Sequence, residues 1–233
     1  MRLRIFVLAL AMLAMHSARA GIDKVYDPLV ELGEVELETR GLYASDADPW
    51  RDGAAKTKIG IGYGLTSRMF IEGYAELEKP AMGDYEVEAY ELEAKFQLTE
   101  QGRYFADFGL LTELEKARQA NEWEFKVGPL IQKPFGNWMG TVNLLGETKF
   151  GADAEHSGDW EFLGRARLKY LSSPRFEPGF EYYTDDETEA LGPAAYGRIR
   201  LSDSEIRWEF GWLFGLDSAT ADNTLRWQME WEF

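Results

Sequence analysis

The segment LGEVELETRGLY, residues 32–43, places Val35, Leu37, Thr39, Gly41 and Tyr43 at one parity and Glu34, Glu36, Glu38 and Arg40 at the other. A helical period of 3.6 would scatter these charges around a cylinder, whereas the two-residue period of a strand gathers them on one side. Similar alternation recurs over residues 55–65, 69–78, 86–98, 103–116, 122–133, 138–150, 159–171, 175–184, 192–201, 206–216 and 223–233. Most of these twelve segments run 10 to 14 residues. Globular strands average ~5–6 residues, and tilted strands that cross a bilayer need ~9–11. A sandwich would call for shorter strands with the apolar face turned inward. The pattern therefore predicts an all-β antiparallel up-and-down transmembrane barrel of twelve strands.

The connections sort into two classes. Those after even-numbered segments are short, such as TSR, TEQG, PFGN and SDSE. Those after odd-numbered segments are mostly longer, such as ASDADPWRDG (44–53), GADAEHSG (151–158) and DDETEALG (185–192). Short turns at one rim and longer loops at the other describe a meander with two different ends. Pro129, Pro178 and Pro193 fall inside predicted strands and each removes a ladder donor, so bulges or shifted strand ends are expected there.

Residues 1–20 read as an export signal. MRLR is a positive n-region, residues 5–15 an apolar core of eleven residues, and Ala18-Arg19-Ala20 a peptidase site. Cleavage near Ala20 would remove Arg2, Arg4 and Arg19 and take the formal net charge from −16 to about −19. Such a chain is unsuited to nucleic acid or anionic headgroups. With no cysteine, disulfides and thiolate chemistry are excluded.

The chain resembles bacterial outer-membrane β-barrels of the porin-like kind. The resemblance rests on the signal, the even strand number, the two loop classes and the closing LRWQMEWEF, in which Phe233 ends the chain and Trp231, Met229, Trp227 and Leu225 alternate before it. In that family such a terminal strand is the signal read by the barrel-assembly machinery, so Trp227, Met229, Trp231 and Phe233 are assigned that role. The resemblance implies residence in the outer membrane of a Gram-negative bacterium, among its lipid and lipopolysaccharide. Residues 32–233 form the barrel on this reading, and residues 21–31 are a short leader at the periplasmic mouth. Aromatic residues support two interfacial girdles: Tyr43, Trp123, Phe150 and Trp160 near the loops, and Tyr104, Trp138, Tyr170, Trp208 and Trp231 near the turns.

With the apolar parity facing lipid, the other parity lines the lumen. Its acidic members include Glu34, Glu36, Glu38, Glu72, Glu76, Glu91, Glu93, Glu113, Glu230 and Glu232, and its basic members Lys56, Lys58, Arg165, Arg167, Lys169, Arg198 and Arg200. The last strand and the first five carry the acidic excess, and strands six to eleven are weakly basic. Dry burial of so many charges would cost several kcal/mol per unpaired ion. Two readings follow. Either water enters and the barrel is a narrow pore for small hydrophilic solutes with mild cation preference, or cross-strand pairs fill a structural or adhesive barrel that does not conduct. Twelve strands lie between barrels of about 8, filled by their own side chains, and open ones of about 16.

Enzyme and metal chemistry find little support. Outer-membrane hydrolases use histidine with Ser or Asp. After the signal the chain has a single histidine, His156, beside Ser157 and Asp159 in one loop, an arrangement better read as solvated. Glutamate pairs are too numerous at strand spacing to single out an acid and a base. The loop acids Asp46, Asp48 and Asp52, and Asp185, Asp186 and Glu187, lack EF-hand spacing. No cofactor or metal is expected.

Overall fold

The structure, a computed structural model, describes residues 21–233. The expected signal over residues 1–20 lies outside the described residues. Twelve strands follow one another: β1 (Val35–Ser45), β2 (Ala55–Thr66), β3 (Met69–Lys79), β4 (Glu86–Gln97), β5 (Asp107–Ala117), β6 (Trp123–Phe135), β7 (Trp138–Phe150), β8 (Trp160–Tyr170), β9 (Glu177–Thr184), β10 (Glu189–Arg200), β11 (Glu205–Gly215) and β12 (Asn223–Glu232). Each pairs antiparallel with its chain neighbours, and β1 closes on β12. That seam sets Glu36 opposite Glu232, Thr39 opposite Met229 and Tyr43 opposite Leu225. A closed ladder leaves no row of unpaired backbone groups to face hydrocarbon.

The two parities separate as alternation requires. Glu36, Glu38, Arg40, Lys58, Glu72, Glu91, Glu93 and Arg226 are buried inside, while Leu37, Ile59, Ile61, Leu92, Phe162, Phe210 and Met229 are exposed on the outer wall. This inverts the usual arrangement of a domain in water, and the apolar exterior fits lipid. Aromatic pairs mark both rims, with Trp123 stacked on Phe150 at the loop side and Trp138 edge-on to Tyr170 at the turn side. Tyr104 falls in a turn just before β5, because Thr99 and Asp107 cap that connection: Phe108 N donates to Thr99 Oγ1 and Gly102 N to Asp107 Oδ1.

The prolines bring no register shift, which corrects the expected bulges, while the expected shift of strand ends does occur: β9 begins at Glu177 instead of residue 175 and β10 at Glu189 instead of residue 192. At Pro129 and Pro193 the ladder skips pairs on one flank, between Val127 and Leu130 against β7 and between Leu191 and Ala194 against β11, and register resumes unshifted. On the other flank Pro129 still faces Leu110 and Pro193 faces Phe180. A proline lacks one N–H, which points to one neighbour, so the opposite ladder continues. Pro178 likewise stays in register with Ala195. Register shifts occur elsewhere, at Gly64/Thr66 between β2 and β3 and at Glu76/Leu77 between β3 and β4.

A second correction concerns residues 21–31. They do not stop at the barrel mouth but run through the lumen, burying Ile22, Val25 and Tyr26. Gly33 N donates to Gly64 O at the turn-side rim, and Gly21 N reaches Thr188 Oγ1 at the loop side. The leader thus spans the barrel from one rim to the other.

The outward face of β12 generates a test. Trp227→Lys near mid-strand should cost ~2–4 kcal/mol if it lies near the bilayer midplane. We expect a loss of folded, heat-modifiable protein on gels, with Trp227→Leu retained as folded; equal behaviour of the two would refute the outward phase.

Candidate functional site in the barrel lumen

The leader is extended but joins no sheet, so its backbone must be satisfied by side chains. The lumen supplies them. Tyr183 Oη and Arg226 Nε donate to Asp23 O at 2.9 and 3.1 Å, and Arg165 Nη1 donates to Lys24 O at 3.0 Å. Asn143 grips Tyr26 twice, its Oδ1 accepting from Tyr26 N and its Nδ2 donating to Tyr26 O, both at 2.8 Å. Nearer the turns Val30 N donates to Gln97 Oε1 at 2.9 Å. Glycines make room where the leader touches the wall. A Cβ at Gly64 would stand 1.9 Å from Glu31 O, and one at Gly109 would stand 2.8 Å from Pro28 Cβ.

Two adjacent charges of the leader address the two signs of the lumen. Asp23 faces Arg40 at 2.8 Å, Lys58 at 3.5 Å and Arg165 at 3.9 Å. Lys24 faces Glu38 at 2.5 Å, Glu230 at 2.8 Å and Glu36 at 3.8 Å. These contacts join a wider network in which Asp23, Glu36, Glu38, Glu76, Glu78, Glu91, Glu93 and Glu230 share Lys24, Arg40, Lys56, Lys58 and Arg165. Carboxylates outnumber bases in it. A neighbouring group places Glu113, Glu124 and Glu147 around Lys126. Across the lumen Arg226 bridges Glu181 and Glu209, and Arg167 meets Glu209 at 2.7 Å.

The imbalance leaves a mark. Buried carboxylate oxygens without a hydrogen bond belong to Glu36, Glu76, Glu91, Glu93, Glu113 and Glu232, on β12 and β1 to β5, and those of Glu36, Glu76, Glu91 and Glu232 still have a base within ion-pair range; among the donors, Arg51 in the loop after β1 and Arg165 and Arg167 on β8 each have an Nε without a hydrogen bond.

Apolar contacts complete the fit. Tyr26 packs with Leu111, Leu130, Leu145 and Leu163, and Ile22 and Val25 pack with Leu42, Tyr183, Ala190 and Leu213. Full burial of one such large side chain contributes about 1.5–3 kcal/mol. Space remains on both sides of the leader. A loop-side vestibule of about 1150 Å³, counting the solvent open to it, reaches from Asp23 and Lys58 to Lys149 and Glu161. A turn-side one of about 950 Å³ is bordered by Glu34, Arg198, Arg200, Glu205, Arg207 and Glu232.

The predicted lumen residues divide by depth. Glu36, Glu38, Lys58, Glu72, Glu76, Glu91, Glu93, Glu113, Arg165, Arg167, Glu230 and Glu232 are buried inside. Lys56 and Lys169 are half-buried, pairing with Glu76 and Glu177. Glu34 precedes β1 in the turn-side vestibule. Arg198 and Arg200 keep the inward parity but stand exposed at that mouth, near Glu205. Residues that alternation does not single out are Asp23, Lys24, Tyr26, Asn143 and Tyr183. A signal for them exists in the leucines at lumenal parity, Leu111, Leu130, Leu145, Leu163 and Leu213, which break the alternation at sites that the leader covers.

Outside the lumen, His156 is exposed in its loop with φ 54°, and Asp159 N donates to its carbonyl oxygen at 3.1 Å. The loop acids serve the loop backbones: Asp46 accepts from the amides of Asp48 and Asp222, and Asp52 from that of Asp46. Asp185 lies against Gly21, where burial pushes its carboxyl up from the ordinary carboxylate range.

No protein-family model matches the chain, and no curated protein does. Solved structures resemble its fold. The COG4313 outer membrane channel from Pseudomonas putida F1 aligns over 91% of this chain and 100% of its own, with a TM-score of 0.62 and 12% identity. The KdgM porin aligns over 85% of this chain and 98% of its own, with a TM-score of 0.53 and 8% identity. A second KdgM structure, in complex with disordered oligogalacturonate, covers 86% and 98% of the two chains, with a TM-score of 0.52 and 7% identity. The architecture shared with these channels is the closed β-barrel.

The network makes Arg40 a sensitive position, since it serves Asp23, Glu38 and Glu93 at once. Arg40→Met leaves those carboxylates short of a counter-charge and should destabilise the protein by ~3–5 kcal/mol. Arg103→Met, which removes an exposed turn pair with Glu100, should cost at most ~1 kcal/mol. Urea unfolding midpoints compare the two.

Proposed function

We propose that this chain is an outer-membrane channel for small hydrophilic solutes, closed at rest by its own leader. The observation that carries the reading is the threaded segment between two polar vestibules. The leader is held by side chains instead of ladder bonds, so it can leave without opening the barrel wall. Its departure would expose a lumen lined by charge, which favours hydrated solutes, and the carboxylate excess gives that lumen a mild cation preference. KdgM is seen with an oligogalacturonate, an acidic chain; the acidic wall here is poorly matched to such an anion.

The same reading places the protein in the outer membrane of a Gram-negative bacterium, with lipid and lipopolysaccharide around the apolar wall and the barrel-assembly machinery acting through Trp227, Met229, Trp231 and Phe233. Signal cleavage after Ala20 would leave the α-ammonium of Gly21 beside Asp185 at the loop rim. The main alternative is a permanently closed structural barrel, favoured by how completely Asp23, Lys24 and Tyr26 fill the middle of the lumen.

Planar-bilayer recordings separate the two. Channels lacking residues 22–31 should show unitary conductance several-fold above that of the full chain, with reversal potentials in a salt gradient on the cation side. If neither protein conducts, the barrel is structural. Equal conductance would remove the leader from gating, and anion preference would contradict the lumenal assignment.

A further inference from the structure

The leader enters the barrel from the turn side, where Gly33 N donates to Gly64 O, and its other end, Gly21, lies at the loop side against the turn between β9 and β10. That position admits only a glycine. A Cβ on residue 21 would stand 1.5 Å from Asp185 Oδ2 and 2.8 Å from Asp185 Cγ. Asp185 cannot swing aside without loss, because its Oδ1 accepts from Glu187 N at 2.8 Å and its own N–H donates to Thr188 O at 2.9 Å. Gly21 N donates to Thr188 Oγ1 at 3.1 Å, and Thr188 is buried. The next residue, Ile22, packs with Tyr183 and Ala190, which flank this turn, so the place of Gly21 is fixed from within the lumen.

Asp185 is a half-buried carboxylate short of a counter-charge. Among the described residues no lysine or arginine forms an ion pair with it; Arg165 acts on it from a distance while engaged with Asp23 and Lys24 O. Its neighbours in the turn, Asp186 and Glu187, are exposed and carry the same sign. Such a carboxylate is best satisfied by a cation that also donates hydrogen bonds. The end of the leader can supply one at this place.

We propose that Asp185 and Thr188 form a binding site for the α-ammonium of Gly21, which exists only after cleavage behind Ala20, and that this contact locks the leader in the lumen. The lock rests on the export-signal reading and on closure of the channel by the leader, as proposed above. Hydrolysis of the Ala20–Gly21 bond takes up one water and leaves a carboxylate on Ala20 and an amine on Gly21. That amine is mostly protonated near neutral pH, an α-amino group having an ordinary pKa of ~7.7–8.0. The single amide N–H that reaches Thr188 Oγ1 thus becomes an ammonium with further donors, and Asp185 Oδ2 already lies against its carbon. Capture of an N-terminal amine is a known mode of recognition. The direction of the leader also sets an order of events. With the signal attached, twenty further residues, eleven of them a continuous apolar run behind Arg2 and Arg4, would have to lead the way through a charged lumen. Processing therefore precedes threading, and the closed state is reserved for the mature chain.

The test is acylation of the mature, folded barrel by acetic anhydride near neutral pH, read by mass spectrometry of the N-terminal peptide. The Gly21 amine should react at least about tenfold more slowly in the folded barrel than in the denatured chain, as befits a hydrogen bond to a charged group. Asp185→Asn should remove most of that protection and quicken amide hydrogen exchange over residues 22–30 several-fold, while Asp186→Asn changes neither. Equal acylation of folded and denatured unaltered protein would overturn the proposal whether or not the variant folds. Protection that survives in folded Asp185→Asn would remove Asp185 from the site, and unchanged exchange in that variant would remove the lock. A mature chain that begins elsewhere than Gly21 would overturn the proposal as well. None of these readouts needs conduction, so a barrel that never conducts would fail the channel reading and leave the ammonium site standing.

Discussion

In hydrocarbon each peptide N–H and C=O has to find its partner within the protein, and here the last partners are supplied by β1 against β12. Once that seam closes, every strand has an inside and an outside, and the alternation of each segment is converted into a radial separation of charge from apolar surface. A slip of one residue in any pair would carry glutamates into lipid and leucines into the lumen. The closed ladder thus decides more than shape. It is the reason that charged side chains are concentrated in one narrow space.

That concentration creates the second problem, which the leader partly solves. Asp23 and Lys24 carry opposite charges, and each finds its complement among neighbouring side chains of the lumen wall. One meets Arg40, Lys58 and Arg165, and the other meets Glu36, Glu38 and Glu230. Tyr26 then inserts among lumenal leucines, while its hydroxyl reaches Glu93. The match is both electrostatic and apolar, and it places the leader in one definite position. Pairing remains uneven on β12 and β1 to β5, where several buried carboxylate oxygens have an ion-pair contact without a hydrogen bond.

The manner of attachment bears on function. A plug hydrogen-bonded into the sheet could leave only by breaking a ladder; this leader is held by Asn143, Tyr183, Arg165, Arg226 and Gln97 through their side chains. Releasing it would expose Ile22, Val25 and Tyr26, at about 1.5–3 kcal/mol for each large side chain, and would return their polar partners to water. Barrel and plug are therefore energetically separable. The proposed opening, in which the leader leaves and the barrel stays folded, requires that separation.

The alternation in residues 32–233 was sufficient by itself for the strand number and the outward parity, because a period of two acts locally and repeats. The strand limits hold to within a few residues; the largest departure, the start of β5 at Asp107, arises from the capped turn before it. The course of residues 21–31 was not legible, since GIDKVYDPLVE has no strong period of its own and its polar contacts with the barrel lie 12 to 203 residues away in sequence. Its only trace was the set of leucines at lumenal parity, which look like defects until Tyr26 is placed among them. Local periodicity determined the wall; the contents of the lumen were decided by tertiary structure, because matching a leader to side chains from many strands requires the barrel to be closed first.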